Sequence, residues 1–214
     1  MEPLAGRELT EFATTLIHSR HNISPRRLGA PGPSSQQLQD ILGAAAAAPD
    51  HGQLLPWRFV IVPTTARERL AHVFGMALVD RDPDASPAQI ESAREKAFRS
   101  PFLMLALVRL RGAMRQRSAL GGQAQHTEAT EEEVNDAERL VSMGCAIQNI
   151  LLAAHAAGFG TGLTGGQAMH SERLRALFGA GDNEQAVCCI NIGTASKHQP
   201  SRVRPDVAAF VSSL

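Results

Sequence analysis

The chain has 214 residues, 43% hydrophobic and 20% charged, the make-up of a folded globular protein, which excludes intrinsic disorder for most of its length. Its 21 basic and 21 acidic side chains cancel to a formal charge of zero, which removes any bulk attraction to nucleic acid or to an anionic membrane. The three cysteines, Cys145, Cys188 and Cys189, are odd in number and lack C-x-x-C spacing, so neither a disulfide framework nor a zinc site is expected and a reducing cytoplasm fits them best.

In chain order, Met1 to Thr10 carries acids and no apolar signal core, so export is not expected. Leu9, Phe12, Ala13, Leu16 and Ile17 recur at helical spacing and predict a first helix. His18 to Pro33 breaks that period with Arg20, His21, Arg26, Arg27 and three prolines, and reads as an irregular cationic connection. Ser34 and Gln37 form a capping box for a second helix over 35–48, which Pro49 stops. Trp57 to Val62, bounded by Pro56 and Pro63, reads as a strand. Thr65 with Glu68, and Ser86 with Pro87 and Gln89, signal two further helix starts, the second helix running to about Arg99.

Phe102 to Val108 is nearly all apolar and predicts a central strand buried on both faces; it falls far short of the roughly 20 residues of a membrane-spanning helix. The polar stretch 111–130 reads as a mobile excursion. Glu131 to Ala157 predicts a long helix, apolar nearly all round from Met143 and ended by Gly158. A short helix over Ser171 to Phe178, a strand over Ala186 to Ile192 and an apolar tail from Gly193 follow. The whole, residues 1–214, is read as one α+β domain, a small sheet flanked by helices, with the tail (193–214) an extended arm crossing onto a second subunit.

Gly160, Gly162 and Gly165 match the G-x-G-x-x-G spacing of dinucleotide-binding loops, but a helix precedes them where that fingerprint requires a strand. The run Gly158 to Gly166 therefore reads as a glycine-rich helix exit that could serve as a shelf for a flat ligand. Cys188 and Cys189 alternate faces of a strand and Cys145 sits among small residues on the long helix, so all three read as packing residues without a nearby base. The segment Ala48 to Phe59, APDHGQLLPWRF, brings a histidine, an amide and the only tryptophan together; with the cationic turn it offers donors for a phosphate and a polar heterocycle.

Four segments in this order, SRHN at Ser19 to Asn22, APDHGQLLPWRFVIV at Ala48 to Val62, GCAIQNILLAAHAAGFGTG at Gly144 to Gly162 and NIGTAS at Asn191 to Ser196, resemble the nitroreductase family, in its compact single-domain bacterial branch. The resemblance implies a mainly antiparallel sheet, an intertwined homodimer, and FMN in two interface clefts, reduced by NADPH or NADH and reoxidised in ping-pong fashion by nitroaromatics, quinones or similar acceptors. By the same resemblance Arg20, His21 and Asn22 would contact the flavin phosphate and ribityl chain, and His51 and Gln53 the ring and ribityl hydroxyls. Gly162, Leu163, Thr164 and Gly165 would run along the flavin, and Gly193 with a following cation would complete the phosphate pocket. Lys197 is preferred to Arg202 and Arg204 because it lies nearest the strand end.

The sequence departs from the family at His21 and Asn22, where Arg-Arg-Ser is common, at Leu55, a frequent Gln position, and at Leu163 to Gly165, where related chains carry Trp-Arg-Ser. The flavin would carry the redox step, so no catalytic side chain is assigned. Two alternatives remain open: an FMN-binding member with a non-reductase role, such as flavin sequestration, regulation, or chemistry on the flavin or an aromatic ring; and a flavin-free interaction protein with a small-residue seam along Ala44 to Ala48 and the 144–157 helix.

Overall fold

The computed structural model describes residues 6–111, 134–196 and 203–214. Five strands, β1 (Leu28–Gly29), β2 (Trp57–Ile61), β3 (Phe102–Arg109), β4 (Gly160–Thr164) and β5 (Glu184–Ala195), make one sheet, and every pairing in it is antiparallel. Strand β5 pairs with β3, β4 and β1, and β3 carries β2 on its other side. Since β3 and β4 both pair with residues 189–192 of β5, they flank it on opposite edges. The expected α+β architecture is present.

The central strand lies where its apolar run predicts. Leu103 to Val108 are each at most 2% exposed. Side-chain alternation sends Met104, Ala106 and Val108 to one face and Leu103, Leu105 and Leu107 to the other. The first face is covered by helix α5 (Asp136–Ala156) through Met143, Ile147, Ile150 and Leu151, together with Ile41 of α2 (Ser35–Gly43). The second is covered by α3 (Arg67–Arg81) through Leu70 and Phe74 and by α6 (Glu172–Phe178) through Leu174. Cys188 and Cys189 divide between the same two faces. Burial pushes their thiols up to about 11 and about 12, so both stay protonated at neutral pH.

Helix α1 is Gly6–Ser19 and α4 is Pro87–Arg94. The capping boxes Ser34–Gln37 and Ser86–Gln89 both form. The helices they open are shorter than expected, since Ala44–Ala47 and Glu95–Phe98 continue as 3-10 turns. Thr65 caps nothing: it lies inside a 3-10 turn, Thr64–Ala66, set by Pro63, and α3 starts after it without a side-chain cap. The start expected at Glu131 moves to Asn135, whose side chain accepts the Glu138 N–H in a third capping box.

Two expectations are corrected in the glycine-rich run and the tail. The helix does exit at Gly158, where φ is +85°, but the glycine run beyond it is not merely a helix exit, since Gly160–Thr164 is a strand of the sheet. Glycine is needed there for close approach: a Cβ on Gly160 would lie 2.8 Å from side-chain carbons of Ile23 and Leu28, and one on Gly162 would overlap the Ile23 carbonyl oxygen. Gly193 belongs to β5, which runs on to Ala195, so no arm begins at Gly193. Of the tail, residues 203–214 are described, with one 3-10 turn at Val207–Ala209. The excursion over 111–130 falls, apart from Arg111, outside the described residues, and so do Lys197 and Arg202.

Candidate functional site

The cationic turn that leaves α1 is bonded to the glycine strand. Asn22 bridges Thr161, the Ile23 N–H donates to the Thr161 carbonyl at 2.8 Å, and Asn22 Oδ1 accepts the Leu163 N–H at 3.0 Å. Strand β4 is fixed in turn by Asn191 of β5, which is 1% exposed. Its amide donates to the Gly162 carbonyl at 3.1 Å and the Thr164 hydroxyl at 3.2 Å, while its oxygen accepts from Ser100 at 3.0 Å. The result is a rigid backbone floor from Gly160 to Thr164, continued by Gly165 and by Gly166 at φ +108°.

Above one end of this floor four cationic or titratable groups converge. Arg204 donates to the carbonyls of His18 (3.3 Å) and Arg20 (3.1 Å), where α1 leaves its last carbonyls without helical partners. Ser19 shares a 2.7 Å hydrogen bond with His155 in the last turn of α5. Burial and then the charge of Arg204 lower the pKa of Arg20. Burial, then Arg20 and His21, hold His155 below its ordinary 6.5. The buried Nε of Arg20 has no hydrogen-bond partner among the described residues. An unpaired buried donor beside other cations leaves an electrostatic need that an anion would satisfy.

The second group of predicted residues sits elsewhere. Gly52, Gln53 and Leu55 all have positive φ (72°, 54° and 48°), a conformation that costs the latter two backbone strain. The loop is held by Asp50, whose carboxylate accepts the Leu55 N–H at 2.7 Å, and by Arg109, which donates to the Leu55 carbonyl at 3.2 Å. His51 Nδ1 donates to Glu138 at 3.0 Å, which ties the loop to the first turn of α5. Glu138 is held below the usual carboxylate range, first by its capping bond at Asn135 and then by His51.

His155 lies seventeen positions beyond Glu138 along α5, roughly 25 Å at 1.5 Å per residue. One chain thus unites Arg20, His21 and Asn22 with Gly162, Leu163, Thr164 and Gly165, but leaves His51 and Gln53 at the far end of the same helix. Gly193 pairs with Gly160, and a Cβ there would meet Pro101 at 2.7 Å, so its bareness serves packing in this chain. His155 and Arg204 thus join the site where Lys197 was the expected cation. The signal for His155 was a histidine in the last turn of a helix, where the carbonyl end of the dipole favours a donor.

Among the described residues no three His, Cys, Asp or Glu side chains group as a metal site, and no helix is long and apolar enough to cross a membrane.

Comparison with known proteins adds an independent result. The family model described as "Nitroreductase family" matches residues 17–194. The chain is 28% identical to the "Putative NAD(P)H nitroreductase" of Haemophilus influenzae, over 94% of this chain and 99% of that protein. Among solved structures, a nitroreductase-like family protein from Bacillus cereus superposes with a TM-score of 0.72 at 15% identity, covering 100% of this chain and 98% of its own. An NADPH:FMN oxidoreductase from Vibrio harveyi superposes with a TM-score of 0.64 at 20% identity, covering 94% of this chain and 76% of its own.

Proposed function

Since this chain belongs to the nitroreductase family, we propose that it is an oxidoreductase that binds FMN, takes hydride from NADPH or NADH and passes electrons in a ping-pong cycle to nitroaromatics, quinones or similar small acceptors. The observation that carries this reading is the partnerless Nε of Arg20, buried beside Arg204 and His155 at the end of a glycine strand. A phosphate monoester fits that need, since it brings negative charge and several acceptor oxygens to the cationic cluster around the Arg20 Nε.

FMN, when bound, supplies the redox chemistry, and the protein's part is to hold, orient and shield it. Arg20 and Arg204 would hold the phosphate, with the side-chain NH2 of Asn22 and the ring of His21 beside it. The floor from Gly162 to Gly165 lacks bulky projections except Leu163, which is 38% exposed, and would support a flat ring. His51 and Gln53 are too far away in the same chain to touch that ligand. A second copy supplying its own His51 loop would complete the cleft, which agrees with the family's expected homodimer. Hydride exchange on an open ring face asks for position and electrostatics, so no side-chain nucleophile is required.

The test is spectroscopic. The purified protein is expected to carry FMN or to bind it on addition, and anaerobic NADPH or NADH should bleach its visible absorption, which an acceptor then restores. A colourless protein that cannot be reconstituted would overturn the proposal. Flavin that is bound yet never reduced by either nucleotide would select the non-reductase role.

A further inference from the structure

A cavity of about 330 Å³ lies on the opposite face of the sheet from α5, between α3, α4 and the segment that follows β4. Its size is at the lower end for small-molecule sites, which span roughly 300–1,000 Å³. Its depth is apolar and polarisable: Phe74 and Leu78 of α3, Leu103 of β3, Met169 and Cys189. Gly165 and Gly166 add bare backbone along one wall.

Two cations complete the lining, Arg81 at the last residue of α3 and Lys96 in the turn after α4, and no carboxylate lines the cavity with them. No ion pair holds either side chain among the described residues. Of the carboxylates on these helices, Asp80 is engaged by Arg173 at 2.6 Å and Glu91 by Arg94 at 3.4 Å. Lys96 is held below the usual lysine range by burial, then by Arg99 and Arg81. In a chain whose charges cancel overall, two unpaired cations that repel each other across an apolar pocket are not a default arrangement. A bound anion would relieve that repulsion.

We propose that this cavity is a binding site for a small aromatic carboxylate, its ring against Phe74, Leu78 and Met169 and its carboxylate bridging Arg81 and Lys96. Ring-edge and sulfur contacts favour an aromatic body over an aliphatic one. Ser92 and the amide of Gln89, whose oxygen is already occupied by Ser86, are further polar groups of the lining. The site is separate from the Arg20 cluster, which sits by the C-terminal end of α5, and shares with the glycine floor only Thr164, Gly165 and Gly166.

The probe is 4-bromobenzoate, with 4-bromobenzyl alcohol as its neutral counterpart. In calorimetric titration of the flavin-loaded protein, the carboxylate should bind and the alcohol bind at least tenfold more weakly. The R81Q/K96Q variant, altered at two exposed positions, should keep its melting temperature and lose carboxylate binding at least tenfold. Bromine anomalous scattering from a co-crystal should locate the atom among Phe74, Leu78 and Met169. Bromine found only against the flavin or elsewhere, no measurable binding, or affinity unchanged in R81Q/K96Q would each overturn the proposal, whatever the outcome of the flavin reduction test.

Discussion

Arg20 and His155 carry the sharpest expectations at the scale of single residues. Removing a charged donor from a buried phosphate site costs about 1.5–3 kcal/mol, so R20Q should weaken FMN binding by roughly ten- to a hundredfold, as read by flavin fluorescence on titration. His155 has a folded-state pKa below its ordinary 6.5, so its neutral form contributes stability in full above that value and loses it as pH falls through the lowered one. Its ring resonances should titrate below 6.5 without flavin, and their midpoint should rise when FMN or inorganic phosphate neutralises Arg20; a midpoint that ignores both would count against the anion site. The two strand thiols make a separate case: with pKa values about 11 and about 12, Cys188 and Cys189 should resist iodoacetamide at pH 8 in the folded protein, leaving the half-buried Cys145 as the only one open to slow alkylation. Their packing role was readable from alternation alone, since adjacent strand residues point to opposite faces. The role of His155 was not, because its partner Ser19 lies 136 residues away and nothing local announces the contact.

Among the elements, β4 depends on two unlike supports, the buried amide of Asn191 and the narrow gap beside Ile23. N191A removes the buried donations to the Gly162 carbonyl and the Thr164 hydroxyl and should destabilise the fold by about 1–3 kcal/mol in urea titration. G162A, which drives a methyl into the Ile23 carbonyl, should displace the Arg20 turn and abolish FMN retention while the far-UV spectrum stays nearly native. Strand β3 and the boxes at Ser34 and Ser86 were legible because their signals are local: an unbroken apolar run, and a hydroxyl three residues before an amide. Strand β4 was not, because its five residues include two glycines and a partly exposed Leu163, and only the partner strand and the facing turn make a strand of them. Thr65 misled for the opposite reason, a correct local motif displaced by the turn that Pro63 imposes.

For the molecule as a whole, apolar surface is left uncovered in places that one chain does not close. Val203 is 91% exposed, Phe210 68% and Val207 62%, and Phe12 and Ile17 of α1 are more than half exposed. Patches of this kind ordinarily meet a partner. Sedimentation should therefore show a dimer at micromolar concentration; a protein that stays monomeric while holding FMN would refute the two-chain cleft. Deleting residues 203–214 removes Arg204 along with Val203, Val207 and Phe210 and should weaken both dimer and flavin binding. The family resemblance was readable across most of the chain because the order of its four segments survives where single residues, such as Leu55 and Leu163, depart from it. Strand β5, finally, bears on how the protein is made. Among the described strands, β1 and β4 have β5 as their one strand partner, and it comes after residue 183. Strand β5 must leave the ribosome before either can be seated, so the earlier-synthesised helices wait with their apolar stripes bare, in the care of whatever chaperones are at hand.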